Sequence, residues 1–142
     1  MLKEFLTLVL LLAVVVFVGS GEEQYYKAEL RKVTIYPQVA YLTLETRDGN
    51  LSMTVSPSQG VAIRDALNGA SHPRPTTHDL AAELARLSGV KKLVVHDLVN
   101  GTYIASLHLG AGVVDIRPSD GIVVCIRDGC PIYVSRELIA GG

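Results

Sequence analysis

The sequence predicts an α+β fold in which a β-β-β-α unit is written twice, forming a mixed or antiparallel sheet packed with helices behind an N-terminal hydrophobic leader. Three observations lead there. Val55-Ser-Pro-Ser-Gln-Gly60 overlays Ile116-Arg-Pro-Ser-Asp-Gly121, so that both carry Pro-Ser-(Gln/Asp)-Gly. Upstream of each, at nearly the same offset, Arg31-Lys-Val-Thr-Ile35 resembles Lys92-Leu-Val-Val-His96 and Tyr41-Leu-Thr-Leu-Glu45 resembles Tyr103-Ile-Ala-Ser-Leu107. The segments before each motif alternate apolar with polar residues, the period of a half-buried strand. Regular βαβ alternation, which a doubly wound sheet requires, is absent.

Phe5 to Val18 form an apolar run interrupted only by Thr7, with Lys3 before it and Gly19-Ser-Gly21 after it. A spanning helix needs about 20 apolar residues and a signal h-region about 7 to 15, so the run has signal-peptide length. Residues 1–24 are accordingly read as a signal peptide or membrane anchor and 25–142 as one domain. Localisation is then extracytoplasmic, secreted or held at the membrane by the N-terminal segment. A helix apolar on every face also suits burial inside a fold, which is the competing reading.

Strands are expected at 28–36, 39–47 and 51–55, with Asp48-Gly49-Asn50 as a hairpin turn. Pro57 suits the first turn of a helix over 59–68 that ends at Gly69. Thr76, with Asp79 three residues on, reads as a capping box opening a helix through Leu80, Leu84 and Leu87 to Gly89. The second unit places strands at 92–98, 102–109 and 113–117, turns at Asn100-Gly101 and Gly110-Ala-Gly112, and a helix at 119–128. Pro131-Ile-Tyr-Val134 adds a strand before a helical tail at 136–140.

Setting aside Lys3, Glu4, Glu22 and Glu23 leaves 12 basic and 11 acidic side chains, a nearly neutral domain. Holding long nucleic acid by charge alone calls for a basic stripe. No run here exceeds Arg31-Lys32 or Lys91-Lys92, so any such contact is local. Cys125 and Cys130 admit two readings, a small disulfide loop suited to an oxidising compartment or two buried thiols. Patterns for zinc proteases, nucleophile elbows, P-loops and Cys-x2-Cys sites are missing, which removes those classes.

The residues able to carry chemistry lie in Arg74-Pro-Thr-Thr-His-Asp79 and Asp115-Ile-Arg-Pro-Ser-Asp120. Strand alternation puts Asp115 and Arg117 on one face, and Asp120 falls in the next helical turn. Two carboxylates and a guanidinium there would suit Mg²⁺ or Mn²⁺ and a phosphate. The alternative is structural: Asp120 at the positive end of its helix, Asp115 paired with Arg117, and Asp79 as a cap. His78, in a first helical turn, is expected to be neutral and so available as a base or ligand. His72, His96 and His108 are read as structural.

Arg74-Pro-Thr-Thr-His-Asp-Leu80, Asp97-Leu-Val-Asn-Gly-Thr-Tyr-Ile-Ala105, Asp115-Ile-Arg-Pro-Ser-Asp-Gly121 and Pro131-Ile-Tyr-Val134 together resemble the bifunctional nuclease domain family, over about residues 30–139. The resemblance implies an α+β domain with DNase and RNase activity in some members, often dimeric. Its two charged motifs fall on Arg74, Pro75, Thr77, His78, Asp79 and Leu80, and on Asp115, Arg117, Pro118, Ser119 and Asp120. The family usually has Glu-Ala where this chain has Gln59-Gly60, and Ala where it has Gly121.

The resulting expectation is an exported or membrane-tethered nuclease-like domain that hydrolyses phosphodiester bonds in DNA or RNA. Asp79, Asp115 and Asp120 would hold a divalent cation, Mg²⁺ or Mn²⁺, while His78 moves a proton and Arg74 and Arg117 bind phosphate. Partners would be nucleic acid, the membrane through an uncleaved leader, and a second copy of the chain. The alternative is a non-catalytic, membrane-associated binding or assembly domain whose acids and arginines lock the two halves together.

Overall fold

A computed structural model of the chain describes residues 24–140. The apolar run at 5–18, and with it the reading of a leader, lies outside the described residues. Among the described residues no helix is long and apolar enough to cross a membrane.

Seven strands form one sheet: β1 (Tyr25–Ile35), β2 (Ala40–Thr46), β3 (Gly49–Val55), β4 (Val90–Val99), β5 (Thr102–Leu109), β6 (Gly112–Ile116) and β7 (Ile132–Ser135). Four helices accompany them: α1 (Pro57–Leu67), α2 (Thr77–Leu87), α3 (Pro118–Asp128) and α4 (Arg136–Ala140). The strand order is β3-β2-β1-β7-β4-β5-β6. All neighbours are antiparallel except β4 and β7, so the sheet is mixed. Each three-strand meander ends in a helix that starts at its Pro-Ser-x-Gly motif, and β7 closes the gap between the two meanders.

Alternation sorts the strands' residues onto two faces. Leu42, Leu44, Met53, Leu93, Val95, Ala105, Leu107 and Val134 are buried against Ile63 of α1 and Ile122 and Val123 of α3. At roughly 1.5–3 kcal/mol per fully buried aliphatic side chain, this one-sided core is the main source of stability. The opposite face carries Lys27, Tyr133, Val94, Ser106 and Asp115 in one row of the register, polar except for the buried Val94.

The helices approach the sheet closely because the duplicated motif supplies glycine at the contact. A Cβ on Gly60 would lie 2.6 Å from Ala40 Cβ, and one on Gly121 would lie 2.4 Å from Leu93 Cδ1. Gly60 thus faces a fixed Cβ and Gly121 the branched end of the buried Leu93 side chain, one close approach in each unit. Asn100 and Gly101 both have positive φ, as a two-residue hairpin turn demands. Cys125 and Cys130 form a disulfide across the end of α3, which resolves the two readings of that pair.

Candidate functional site

The N-termini of α2 and α3 bring the first group of site residues together. Thr76 caps α2: its hydroxyl accepts from Asp79 N at 3.2 Å, and Asp79 Oδ2 accepts from Thr76 N at 2.8 Å. The cap turns His78, one residue inside the helix, toward α3. There His78 Nε2 lies 3.0 Å from Asp120 Oδ1. Arg117, at the N-cap of α3, donates to the same carboxylate from Nε at 2.6 Å and from Nη2 at 3.2 Å. Asp120 is thus held by a bidentate guanidinium on one side and an imidazole on the other.

Burial alone would raise the Asp120 pKa, but its hydrogen bonds to Arg117 and His78 and their charges outweigh that, and the group is held below the ordinary carboxylate value. Arg117 is raised in turn, first by its hydrogen bond to Asp120. The Asp120 side chain is 23% exposed and the Arg117 side chain 68%, so the pair sits at the rim and the guanidinium reaches solvent. The other ring nitrogen of His78, Nδ1, has no hydrogen-bond partner among the described residues.

Asp79 has a different setting. Beyond its cap bond, its Oδ2 lies 3.1 Å from His72 Nδ1 and its Oδ1 3.4 Å from Arg127 Nη2. Its pKa is lowered, first by the Thr76 backbone hydrogen bond. His72 also faces Asp65 of α1 at 3.9 Å. The loop between α1 and α2 is therefore tied to both neighbouring helices through His72, and Asp79 links it on to Arg127 of α3. A cavity of about 280 Å³ lies between the helices, lined by His72, Thr76, His78, Asp65, Ser58 and Arg127 among others. Arg127 Nε is buried with no hydrogen-bond partner.

Asp115 is not brought to this place. It pairs with Ser106 on the sheet face away from the helices, is exposed, and takes part in no ion pair among the described residues. Alternation does put it on the strand face from which Arg117 departs, but Arg117 then turns to Asp120 at the helix start. The expected Asp115–Arg117 pair is replaced by Arg117–Asp120. Arg74 is exposed in the loop before Thr76.

The donor set does not fit a three-carboxylate cation site. Both Asp120 oxygens accept from Arg117, both Asp79 oxygens face cap, His72 or Arg127, and Asp115 faces the other side of the sheet. Among the described residues, no three or more His, Cys, Asp or Glu side chains are grouped to hold a metal ion. A divalent cation at Asp79 or Asp120 would have to displace Arg127 or Arg117, at the cost of leaving that charge unpaired.

Gln59, where the family usually has Glu, closes a capping box on α1: its Oε1 accepts from Ser56 N at 2.9 Å. His72, Asp65 and Arg127 join the cluster although sequence reasoning did not single them out for it. Arg127 lies in the last turn of α3, where a basic residue reads as favourable to the helix dipole, and only the tertiary fold brings it to Asp79.

A family model described as the bifunctional nuclease domain matches residues 42–141. At 35% identity the chain aligns over 96 residues with uncharacterized proteins from two strains of Mycobacterium tuberculosis, covering 66% of this chain and 58% of each relative. It aligns at 26% identity over 109 residues with a protein named bifunctional nuclease 1 from Oryza sativa, covering 68% of this chain and 33% of that one. The chain thus spans less than two thirds of the length of these curated relatives.

Proposed function

The chain belongs to the bifunctional nuclease domain family, and from that premise we propose that it hydrolyses phosphodiester bonds in DNA or RNA, exported or tethered by residues 1–24, with the Asp120–His78 pair at the centre of the reaction. The observation that carries the reading is the hydrogen-bonded chain Arg117–Asp120–His78, which leaves one imidazole nitrogen unpaired beside a cavity. Asp120 fixes the ring and its tautomer and stabilises the imidazolium that forms when Nδ1 takes a proton from the attacking water, while the ester oxygen whose bond to phosphorus breaks takes its proton from solvent. The solvent-reaching Arg117 and the exposed Arg74 supply phosphate ligands. No step is assigned to a metal ion.

The test is cleavage of labelled single-stranded DNA and RNA by the wild type, His78→Gln and Asp120→Asn, with unfolding measured on the same preparations. Loss of about 100-fold or more in both variants, with the fold intact, is expected for a general base and the group that orients it. Equal rates in all three proteins would remove the site.

A second reading is favoured by the way Asp79 and Asp120 bind α1, α2 and α3 together: a non-catalytic binding or assembly domain in which the acids are struts. Under that reading Asp120→Asn costs about 1–3 kcal/mol of stability, while no preparation cleaves nucleic acid. Pairing of two copies is proposed through the edge strand β6, whose Val113 and Val114 are 59% and 45% exposed.

A further inference from the structure

The sheet face turned away from the helices carries a second group of reactive side chains, separate from the Asp120–His78 site. Register sets Lys92 opposite His108, Val94 opposite Ser106, and Tyr133 beside Val94. The β4–β5 register shifts between Val95 and Asp97, and the extra residue, His96, turns its ring onto this face. His96 Nε2 lies 2.9 Å from Ser106 Oγ and Nδ1 lies 2.6 Å from Asp97 Oδ2. A carboxylate against Nδ1 fixes the ring and stabilises it when both nitrogens carry protons, the form a general acid needs. His108 stands two residues beyond Ser106 on the same strand, about 7 Å along the face.

Two clefts meet here along Gln24 and Tyr25. One, of about 520 Å³, is lined by His96, Asp97 and Arg136; the other, of about 410 Å³, by Lys92, His108 and Tyr133. Lys92 Nζ is 5.7 Å from the Tyr133 ring centroid. Lys92 covers the Tyr133 ring, and Tyr25, 44% exposed between the two clefts, offers an aromatic surface for an unpaired base, with the phosphate following the positive charge. The His108 pKa is lowered, first by burial and then by the charges of Lys92, His96 and Lys91, so its imidazole is neutral near neutral pH and able to accept a proton.

We propose that this face is a second catalytic centre that cleaves single-stranded RNA by internal transesterification, with His108 as general base, His96 as general acid and Lys92 as phosphate ligand. His108 removes the proton of a ribose 2′-hydroxyl. The 2′ oxygen bonds to phosphorus as the bond from phosphorus to the 5′ oxygen breaks. His96, exchanging its contact with Ser106 for one with the departing oxygen, gives that oxygen the Nε2 proton. The products are a 2′,3′-cyclic phosphate and a 5′-hydroxyl, and solvent exchange resets the two imidazoles. Because the nucleophile belongs to the substrate, an acid, a base and a cation are sufficient, and a strand without the 2′-hydroxyl is not cut here. This goes beyond the hydrolysis proposed above, which uses water and other residues.

The full-length protein is incubated in EDTA with a labelled DNA strand containing one ribonucleotide, and the ends are identified by mass spectrometry. A cyclic phosphate end 3′ to the ribonucleotide is expected, apart from any ends that hydrolysis at the Asp120–His78 centre makes at the deoxynucleotides, and 2′-O-methylation of that residue abolishes the cyclic end. His96→Gln and His108→Gln each lower the rate about 100-fold or more; Lys92→Gln lowers it less and weakens strand binding. The rate is bell-shaped in pH, with Lys91, Lys92, Asp97, Asp115, Tyr133, Tyr25, Arg136 and Glu137 the charged and titratable groups around the pair from β4, β6, β7, β1 and α4. Should the histidine variants fail to fold, the 2′-O-methyl strand and Lys92→Gln still decide the matter. Absence of a cyclic phosphate end at the ribonucleotide, or a cyclic phosphate end at that position in the 2′-O-methyl strand, overturns the proposal. Absence of cyclic ends while all-DNA strands are still cut removes this centre alone, and cyclic ends with all-DNA strands intact remove the Asp120–His78 reading alone.

Discussion

Replacing Gly60 by alanine tests how tightly α1 is seated on the sheet. The new methyl would stand 2.6 Å from Ala40 Cβ and 3.1 Å from Ile35 Cγ1, against ordinary carbon contacts at about 3.5–4.0 Å. Neither Cβ has a torsion that moves it, since one is fixed to α1 and the other to β2. The helix must therefore lift by roughly 1 Å, and Ile63, fully buried beneath it, loses contact. Overpacking of this kind costs about 1–3 kcal/mol, and the gain in helix propensity from glycine to alanine returns about 1. With both partners immobile the cost falls in the upper part of its range, leaving a net loss of about 1–2 kcal/mol. Urea unfolding followed by circular dichroism reads this directly as a lower midpoint at unchanged slope. Ala40→Gly in the same chain removes the opposing methyl, so the double variant should be more stable than the two single losses sum to, by about 1 kcal/mol or more. A Gly60→Ala protein as stable as the wild type, or more so, would refute the close approach and show that propensity alone governs the position.

Other consequences follow from the same contacts. Asp79 and Asp120 both have lowered carboxylate pKa values, so the stability they contribute is present above the ordinary value near 4 and lost as pH falls through their folded values. Asp79→Asn should accordingly flatten the acid limb of a stability-against-pH curve, which thermal melts between pH 2 and about 6 would show. Removing the disulfide by Cys125→Ala with Cys130→Ala should cost about 2 kcal/mol, the chain-entropy figure for so short a loop, measured by denaturant unfolding against the oxidised wild type. EDTA should leave the cleavage of DNA within about two-fold of its value in Mg²⁺, because general acid–base groups can supply the protonic steps without the cation; loss of all activity on chelation would return the carboxylates to a metal-binding role.

The fold was legible in the sequence where one residue pattern carried one physical instruction. Strand alternation, the Asn100-Gly101 turn, the Thr76–Asp79 cap and the repeated Pro-Ser-x-Gly all have counterparts in the structure. Strand order was less accessible: β7 enters between β1 and β4, a placement no local pattern encodes. At the site, sequence gave the residue types but not their partners. Asp115 and Arg117 share a strand face by period, yet a helix start intervenes and Arg117 turns to Asp120. His96 reads as an ordinary strand residue until the shift in register directs it to Ser106. The adjacent Asp97 was the one local signal of a held imidazole. The clustering of His72 with Asp65, and of Arg127 with Asp79, depends on helix packing across distant segments, which no spacing along the chain reveals.

The most direct test of the account is chemical rescue at His78. Single-stranded DNA cleavage by His78→Ala is measured with and without added imidazole, alongside Asp120→Asn. If the ring held by Asp120 accepts the proton of the attacking water, cleavage falls by about 100-fold or more and free imidazole restores a saturable part of it. A His78→Ala protein that cuts at the wild-type rate, with imidazole having no effect, would contradict the account.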